Sequence, residues 1–119
     1  MDSLKFPYAR PDLNKSDIKA VIKVLESQYL AQGKIVQKFE KKLKKKFDVS
    51  NAIICNSGTA ALHSVYRSIG LNNKNGIITT PITFLATANA AKMCDAPVFF
   101  TDVDSKSGLM TPKNLQEAF

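Results

Sequence analysis

Short apolar, β-prone runs at 52–55, 77–80 and 97–102 are separated by segments whose apolar residues recur at helical spacing. Strands set apart by helices of this length point to βαβ units and a mostly parallel sheet with flanking helices, an α/β chain. The chain is 119 residues, 45% hydrophobic and 23% charged, enough to bury a real core as one globular domain. Residues 1–13 carry Pro7 and Pro11 and read as an extended N-terminal arm, and residues 14–119 as the domain. Asn14 with Asp17 resembles a helix start, and Ile18, Val21, Ile22 and Leu25 share one face, which predicts a helix over 15–27. Further helices are expected up to about Phe47, over 59–69 and over 84–93, and Thr111-Pro112 reads as an N-cap and first-turn pair opening a last one. Pro81 stops the 77–80 strand from continuing as an interior ladder member. The last helix, with Leu115, Ala118 and Phe119, stops after about two turns where helices usually run about three or more, so the sequence reads as a piece of something larger.

The formal net charge of +7 is localised. Seven lysines between Lys34 and Lys46 against Glu40 leave +6 in that segment and +1 for all other residues. Ile35, Phe39, Leu43 and Phe47 recur there at every fourth position, the spacing of one buried helical face. The lysines therefore read as a solvated helix face. A nucleic-acid stripe would favour arginines and interleaved aromatics, and attraction of an anionic small molecule is a weaker alternative.

Cys55 and Cys94 are far apart and lack CxxC or His-rich spacing, which favours small buried hydrophobes over a disulfide or a metal site. The opening residues show no basic leader followed by an apolar stretch, and the longest uncharged run, Gly76–Ala91, is broken by Thr, Asn and Pro. A cytoplasmic protein is expected, with neither membrane nor nucleic acid as a partner.

Ile53-Ile54-Cys55 hands over to a helix through Asn56-Ser57-Gly58-Thr59. At a helix start the first N–H groups lack intrahelical partners and the aligned peptide dipoles place partial positive charge there, which receives anions. Gly58 lets a ligand approach without a Cβ in the way, and the Thr59 hydroxyl adds a side-chain donor. Taken alone, this corner is better explained as simple capping by Ser or Thr, and the P-loop and dinucleotide fingerprints are both absent. A second segment, TTPITFLATANA from Thr79, also follows a strand and opens a helix, so it projects from the same end of the sheet, where ligands of open α/β sheets collect. Phe84 suits stacking on a flat heterocycle; its spacing alone fits a core residue better. His63 follows the corner with no nearby acid partner and reads as a packing or helix-surface residue.

Together LAQGKIVQKFE (30–40), NSGTAALHSVYRSIGL (56–71), TTPITFLATANAA (79–91) and FTDVD (100–104) resemble, in order and spacing, the opening third of the DegT/DnrJ/EryC1/StrS family of pyridoxal-phosphate sugar aminotransferases. The wording of the third segment most resembles members that aminate a 4-keto group of a UDP-linked 4,6-dideoxy amino sugar on the route to pseudaminic acid. The resemblance implies the N-terminal part of a fold type I transferase large domain, an enzyme moving an amino group from an amino acid, glutamate in the family, to a keto sugar on a nucleotide, and a homodimer.

The same resemblance implies that Gly58, Thr59 and Ala60 sit at the phosphate of pyridoxal 5'-phosphate, that Phe84 lies against its ring, and that Thr83 and Asn56 neighbour that site. Tyr8 and the Leu30–Lys34 loop, with Gln32 and Gly33, match stretches near the sugar nucleotide. Asp102 and Asp104 match a strand end that tempts a metal assignment and that the family reading makes structural. The lysine that bonds to the cofactor and the acid facing its ring nitrogen belong to family segments downstream of residue 119, and the exposed lysines of the second helix, protonated near pH 10, are poor substitutes. No catalytic residue is therefore assigned within the chain, which alone is expected to be inactive. Two other readings stay open: a non-catalytic α/β domain that interacts or self-associates through apolar faces, and a basic nucleic-acid-binding module.

Overall fold

The computed structural model describes residues 9–31 and 33–119. The chain divides into two compact units, Met1–Ala52 and Ile53–Phe119.

The first unit holds two helices. Helix α1 spans Lys15–Leu25, two residues shorter at its end than its apolar spacing suggests. It starts where Asn14 and Asp17 each accept the other's backbone N–H, a reciprocal cap. Helix α2 spans Lys34–Phe47 and opens on Gly33 without a side-chain cap. Its end is built from the backbone: Asp48 takes the left-handed conformation (φ 51°), and its N–H and that of Val49 both donate to the Lys44 carbonyl. Lys44, Lys45 and Lys46 fill the last turn, where positive charge meets the negative end of the helix dipole.

The second unit is a small α/β assembly. Helix α3 (Gly58–Ser68) leads to strand β1 (Ile77–Thr79), helix α4 (Ala86–Lys92), strand β2 (Val98–Phe100) and helix α5 (Pro112–Glu117). β1 and β2 pair in parallel, with Ile77 opposite Val98 and Thr79 opposite Phe100, and α4 makes the crossover between them. The Thr101 N–H donates to the Thr79 carbonyl at 2.9 Å, and the Thr101 hydroxyl donates to the Asn114 carbonyl of α5 at 2.7 Å. The core is small: Leu71, Ala91, Cys94 and Ala96 are buried, with Tyr66, Ile77 and Val98 packed against them. The small side chains Ala86, Ala90 and Ala91 form the buried face of α4. As expected for a small hydrophobe, Cys94 is buried, and both cysteines are free thiols.

The expected strand at 52–55 does not form; these residues carry no strand assignment. A β-prone run becomes a strand only when a neighbouring edge accepts its ladder, and the pairing in this unit is between β1 and β2. The helix expected over 84–93 begins two residues later, at Ala86, and the strand expected over 97–102 is confined to Val98–Phe100. Among the described residues, no helix is long and apolar enough to cross a membrane.

Candidate functional site

The corner before α3 is both a capped helix start and an open one. Ser57 takes extended dihedrals, and its hydroxyl accepts the Ala60 N–H at 3.1 Å while its carbonyl accepts that of Ala61 at 3.1 Å. The N–H groups of Gly58 and Thr59 have no partner among the described residues. A Cβ built on Gly58 would meet nothing within 4 Å. Two outward donors, the positive end of an 11-residue helix and an unobstructed backbone face therefore meet at one place. Ala60 is half-buried with its N–H already held by Ser57, so its contribution to an anion would be its place in the turn. Asn56 is exposed at the bend just before the cap.

The second segment opens α4, which packs beside α3. Leu71, just past the end of α3, packs with Cys94 and Ala96, just past the end of α4, and the Tyr66 hydroxyl donates to the Thr87 carbonyl at 3.4 Å. The Tyr66 contact sets the start of α4 beside the last third of α3, and the core cluster joins the two ends. Phe84 is 78% exposed, so the core role that its spacing favoured is not the one it has. It precedes α4 and stands clear of the core cluster. Thr83 is exposed, with its hydroxyl 3.4 Å from that of Thr87.

In the other unit Gly33 is half-buried at the start of α2, where a Cβ would come within 3.3 Å of the Tyr29 carbonyl oxygen. It lines a concavity of about 420 Å³ together with Gln28, Tyr29 and Lys34. Tyr8 and Gln32 lie outside the described residues. The two acids after β2 make turns. The Asp102 carboxylate accepts the Val103 N–H at 2.7 Å, and that of Asp104 accepts the N–H groups of Lys106 and Ser107 and the Ser107 hydroxyl at 3.2, 2.8 and 2.9 Å. The backbone and side-chain hydrogen bonds from Ser107 hold the Asp104 carboxyl below the usual carboxylate range. A structural role for Asp104 thus has a physical basis. A second concavity, about 480 Å³ and lined by Gly76, Ile78, Phe99, Ala118 and Phe119, is apolar and has no converging polar side chain, unlike a site built for a charged ligand.

Sequence reasoning gave His63 no place in the site. Its Nε2 is buried and without a hydrogen-bond partner among the described residues. The spacing Thr59, His63, Tyr66 would have placed it on the helix face that meets α4.

Known proteins supply the context of this geometry. A family profile described as the DegT/DnrJ/EryC1/StrS aminotransferase family matches residues 11–119. A UDP-4-amino-4,6-dideoxy-N-acetyl-beta-L-altrosamine transaminase of Campylobacter jejuni (strain 81-176) is 39% identical over 102 residues, covering 86% of this chain and 27% of that protein. The structure of Helicobacter pylori PseC, an aminotransferase involved in the biosynthesis of pseudoaminic acid, matches with a TM-score of 0.76 at 40% identity, over 83% of this chain and 27% of that one. The fold is also that of the PLP form of a putative sugar aminotransferase, Spr1654 from Streptococcus pneumoniae, with a TM-score of 0.86 at 22% identity over 96% of this chain and 29% of that one. The chain thus spans 27% of the length of the Campylobacter relative. In sequence and in backbone, it belongs to the DegT/DnrJ/EryC1/StrS aminotransferase family.

Proposed function

We propose that these residues form part of the pyridoxal 5'-phosphate site of an aminotransferase that moves an amino group from an amino acid, glutamate, to a keto sugar carried on a nucleotide. The protein would work in the cytoplasm as a homodimer. The observation that carries this reading is the start of α3: two N–H groups without a partner among the described residues, beside a glycine with open space around it. The residues fit the cofactor's phosphate. Gly58 and Thr59 would donate backbone N–H groups, the Thr59 hydroxyl would add a third donor, Ser57 would hold the turn, and Phe84 would cover one ring face while Thr83 and Asn56 flank it. When bound, the cofactor supplies the electron sink that lets an amine change partners. This chain's contribution is to bind, orient and shield. The name of the C. jejuni relative supports a UDP-linked 4-amino-4,6-dideoxy sugar as the aminated product, and so the matching 4-keto sugar as acceptor. Gly33 and its concavity, with Tyr8 and Gln32, would face that substrate.

By the family resemblance, the lysine that bonds to the cofactor belongs to segments downstream of residue 119. The 119 residues alone would therefore bind the cofactor without transferring an amine. The test uses pyridoxine 5'-phosphate, which has no aldehyde to react with surface lysines. The chain should bind it at least about tenfold more tightly than pyridoxine, the difference being the phosphate hydrogen bonds. Gly58→Leu should abolish that preference without lowering the melting temperature, because its Cβ meets nothing within 4 Å. Equal binding of the two compounds would reject the phosphate site.

A further inference from the structure

Asn75 is the one asparagine of the chain followed by glycine. It closes a tight turn between α3 and β1: its N–H donates to the Asn72 carbonyl at 3.3 Å, and its side-chain oxygen accepts the Asn72 N–H at 2.8 Å. Its side-chain nitrogen donates to the Gly70 carbonyl at 3.4 Å. Asn75 and Gly76 are both exposed, and the Gly76 N–H has no partner among the described residues. Glycine also has no side chain to shield that nitrogen. An unengaged backbone nitrogen therefore follows directly on a side-chain amide whose carbonyl is already polarised by a donor.

We propose that Asn75 is a site of spontaneous covalent modification, in which the Gly76 nitrogen displaces the Asn75 side-chain amide and the isoaspartate that results loosens the start of β1. The Gly76 nitrogen gives its proton to solvent base and attacks Asn75 Cγ. Negative charge then grows on Oδ1, where the Asn72 N–H stands ready to stabilise it. The new bond between Cγ and the Gly76 nitrogen closes a five-membered imide, the Cγ–Nδ2 bond breaks, and Nδ2 takes a proton from water and leaves as ammonia. Water next adds to one of the two imide carbonyls. Cleavage of the new bond gives aspartate; cleavage of the original peptide bond gives isoaspartate, whose main chain runs through the side-chain carbons. The sum is hydrolysis of an amide, with no change of oxidation state.

The lengthened main chain arrives where there is no slack. Ile77, the next residue but one, donates its N–H to the Pro97 carbonyl at 3.1 Å and opens the pairing with β2, and a Cβ on Gly76 would stand 2.6 Å from that same carbonyl oxygen. The exchange of amide for carboxylate also removes the donor to the Gly70 carbonyl.

The full chain is aged at neutral pH, digested under acidic conditions that halt the reaction, and mapped by mass spectrometry. The peptide carrying Asn75 should gain the mass difference between an amide and an acid at least about tenfold faster than the peptide carrying Asn56, whose follower Ser57 has a Cβ. It should pass through a species short of one ammonia, and the product should accept a methyl group from S-adenosylmethionine through an isoaspartate-specific methyltransferase. Asn75→Gln, which would need a six-membered ring, should cut that labelling at least about tenfold. In the aged chain the Ile77 amide should lose protection from exchange. Intact Asn75 in the folded chain after a peptide of residues 70–80 has been converted would overturn the proposal, as would aspartate without isoaspartate, a glutamine variant labelled as strongly as the original, or an Ile77 amide as protected after ageing as before.

Discussion

Gly76 shows how one missing Cβ sets the approach of the two strands. A Cβ there would stand 2.6 Å from the Pro97 carbonyl oxygen and 3.0 Å from Phe99 Cε2 and Pro97 Cγ, and that same carbonyl accepts the Ile77 N–H at 3.1 Å. Because the nearest obstacle is backbone, it cannot swing aside as a flexible side chain would. Gly76→Ala should cost about 1–3 kcal/mol in urea unfolding, the usual cost of overpacking, and an unchanged midpoint would mean the strands can separate freely. Asp104 makes the complementary case for a polar group. Its depressed folded-state carboxyl pKa means that the turn over residues 104–109 is supported at pH values above the ordinary carboxylate range and loses that support as the pH falls through the folded value. The protection of the Lys106 and Ser107 amides, taken relative to their intrinsic exchange rates, should fall as the pH drops below the ordinary carboxylate range, and Asp104→Asn should remove most of that dependence. The sequence pattern around FTDVD suggested a structural acid or a metal ligand, and it took the three donors of the turn to show what the carboxylate holds. Phe84 differed more: helical spacing pointed inward, but the helix starts two residues later, and the ring is left outside.

Element boundaries followed their end chemistry more closely than their apolar spacing. Asn14 and Thr111 were both readable as caps, and both helices begin where those residues put them, Thr111 accepting the Asn114 N–H at 3.2 Å with Pro112 in the first turn. A cap is a local interaction among residues three apart, so the sequence contains all of its parts. Thr111→Ala should therefore destabilise α5 by about 1 kcal/mol, visible as faster exchange of the Leu115 amide, which donates to the Thr111 carbonyl. The run at 52–55 had the right composition for a strand and no local information about its partner. Strand pairing is non-local, which is why parallel β1–β2 pairing was legible only as a topology, from the helix placed between the two runs. The same limit hid His63: its position on the helix was plain, but the burial of Nε2 is a property of the folded unit.

At the scale of the whole molecule, burial and exposure are out of balance. The buried apolar residues are Leu71, Ala86, Ala90, Ala91, Cys94 and Ala96, mostly small, while Ile53, Phe84, Phe99, Phe100, Leu109 and Phe119 remain more than half exposed. At about 25 cal/mol per Å² of apolar surface removed from water, side chains of that size gain far more from a covering partner than alanines do from the core. Opposing this is a net charge of +7, most of it on the lysine face of α2, which repels a second copy. The two effects respond oppositely to salt: screening weakens the repulsion beyond about 10 Å at 0.1 M and leaves apolar attraction intact. Sedimentation of the isolated chain should therefore show concentration-dependent self-association that tightens as salt is raised, and Phe84→Ser with Phe119→Ser should weaken it. Association that loosened with salt would instead mean that lysines of α2 are pairing with acids of a neighbour. A strictly monomeric chain at every salt concentration would mean that its apolar faces close on one another in solution. The same surfaces bear on the cofactor reading, because a second copy seated over Phe84 would compete with the ring of pyridoxine 5'-phosphate. Raising the ligand concentration should then shift the chain toward smaller species, which couples the two equilibria by mass action.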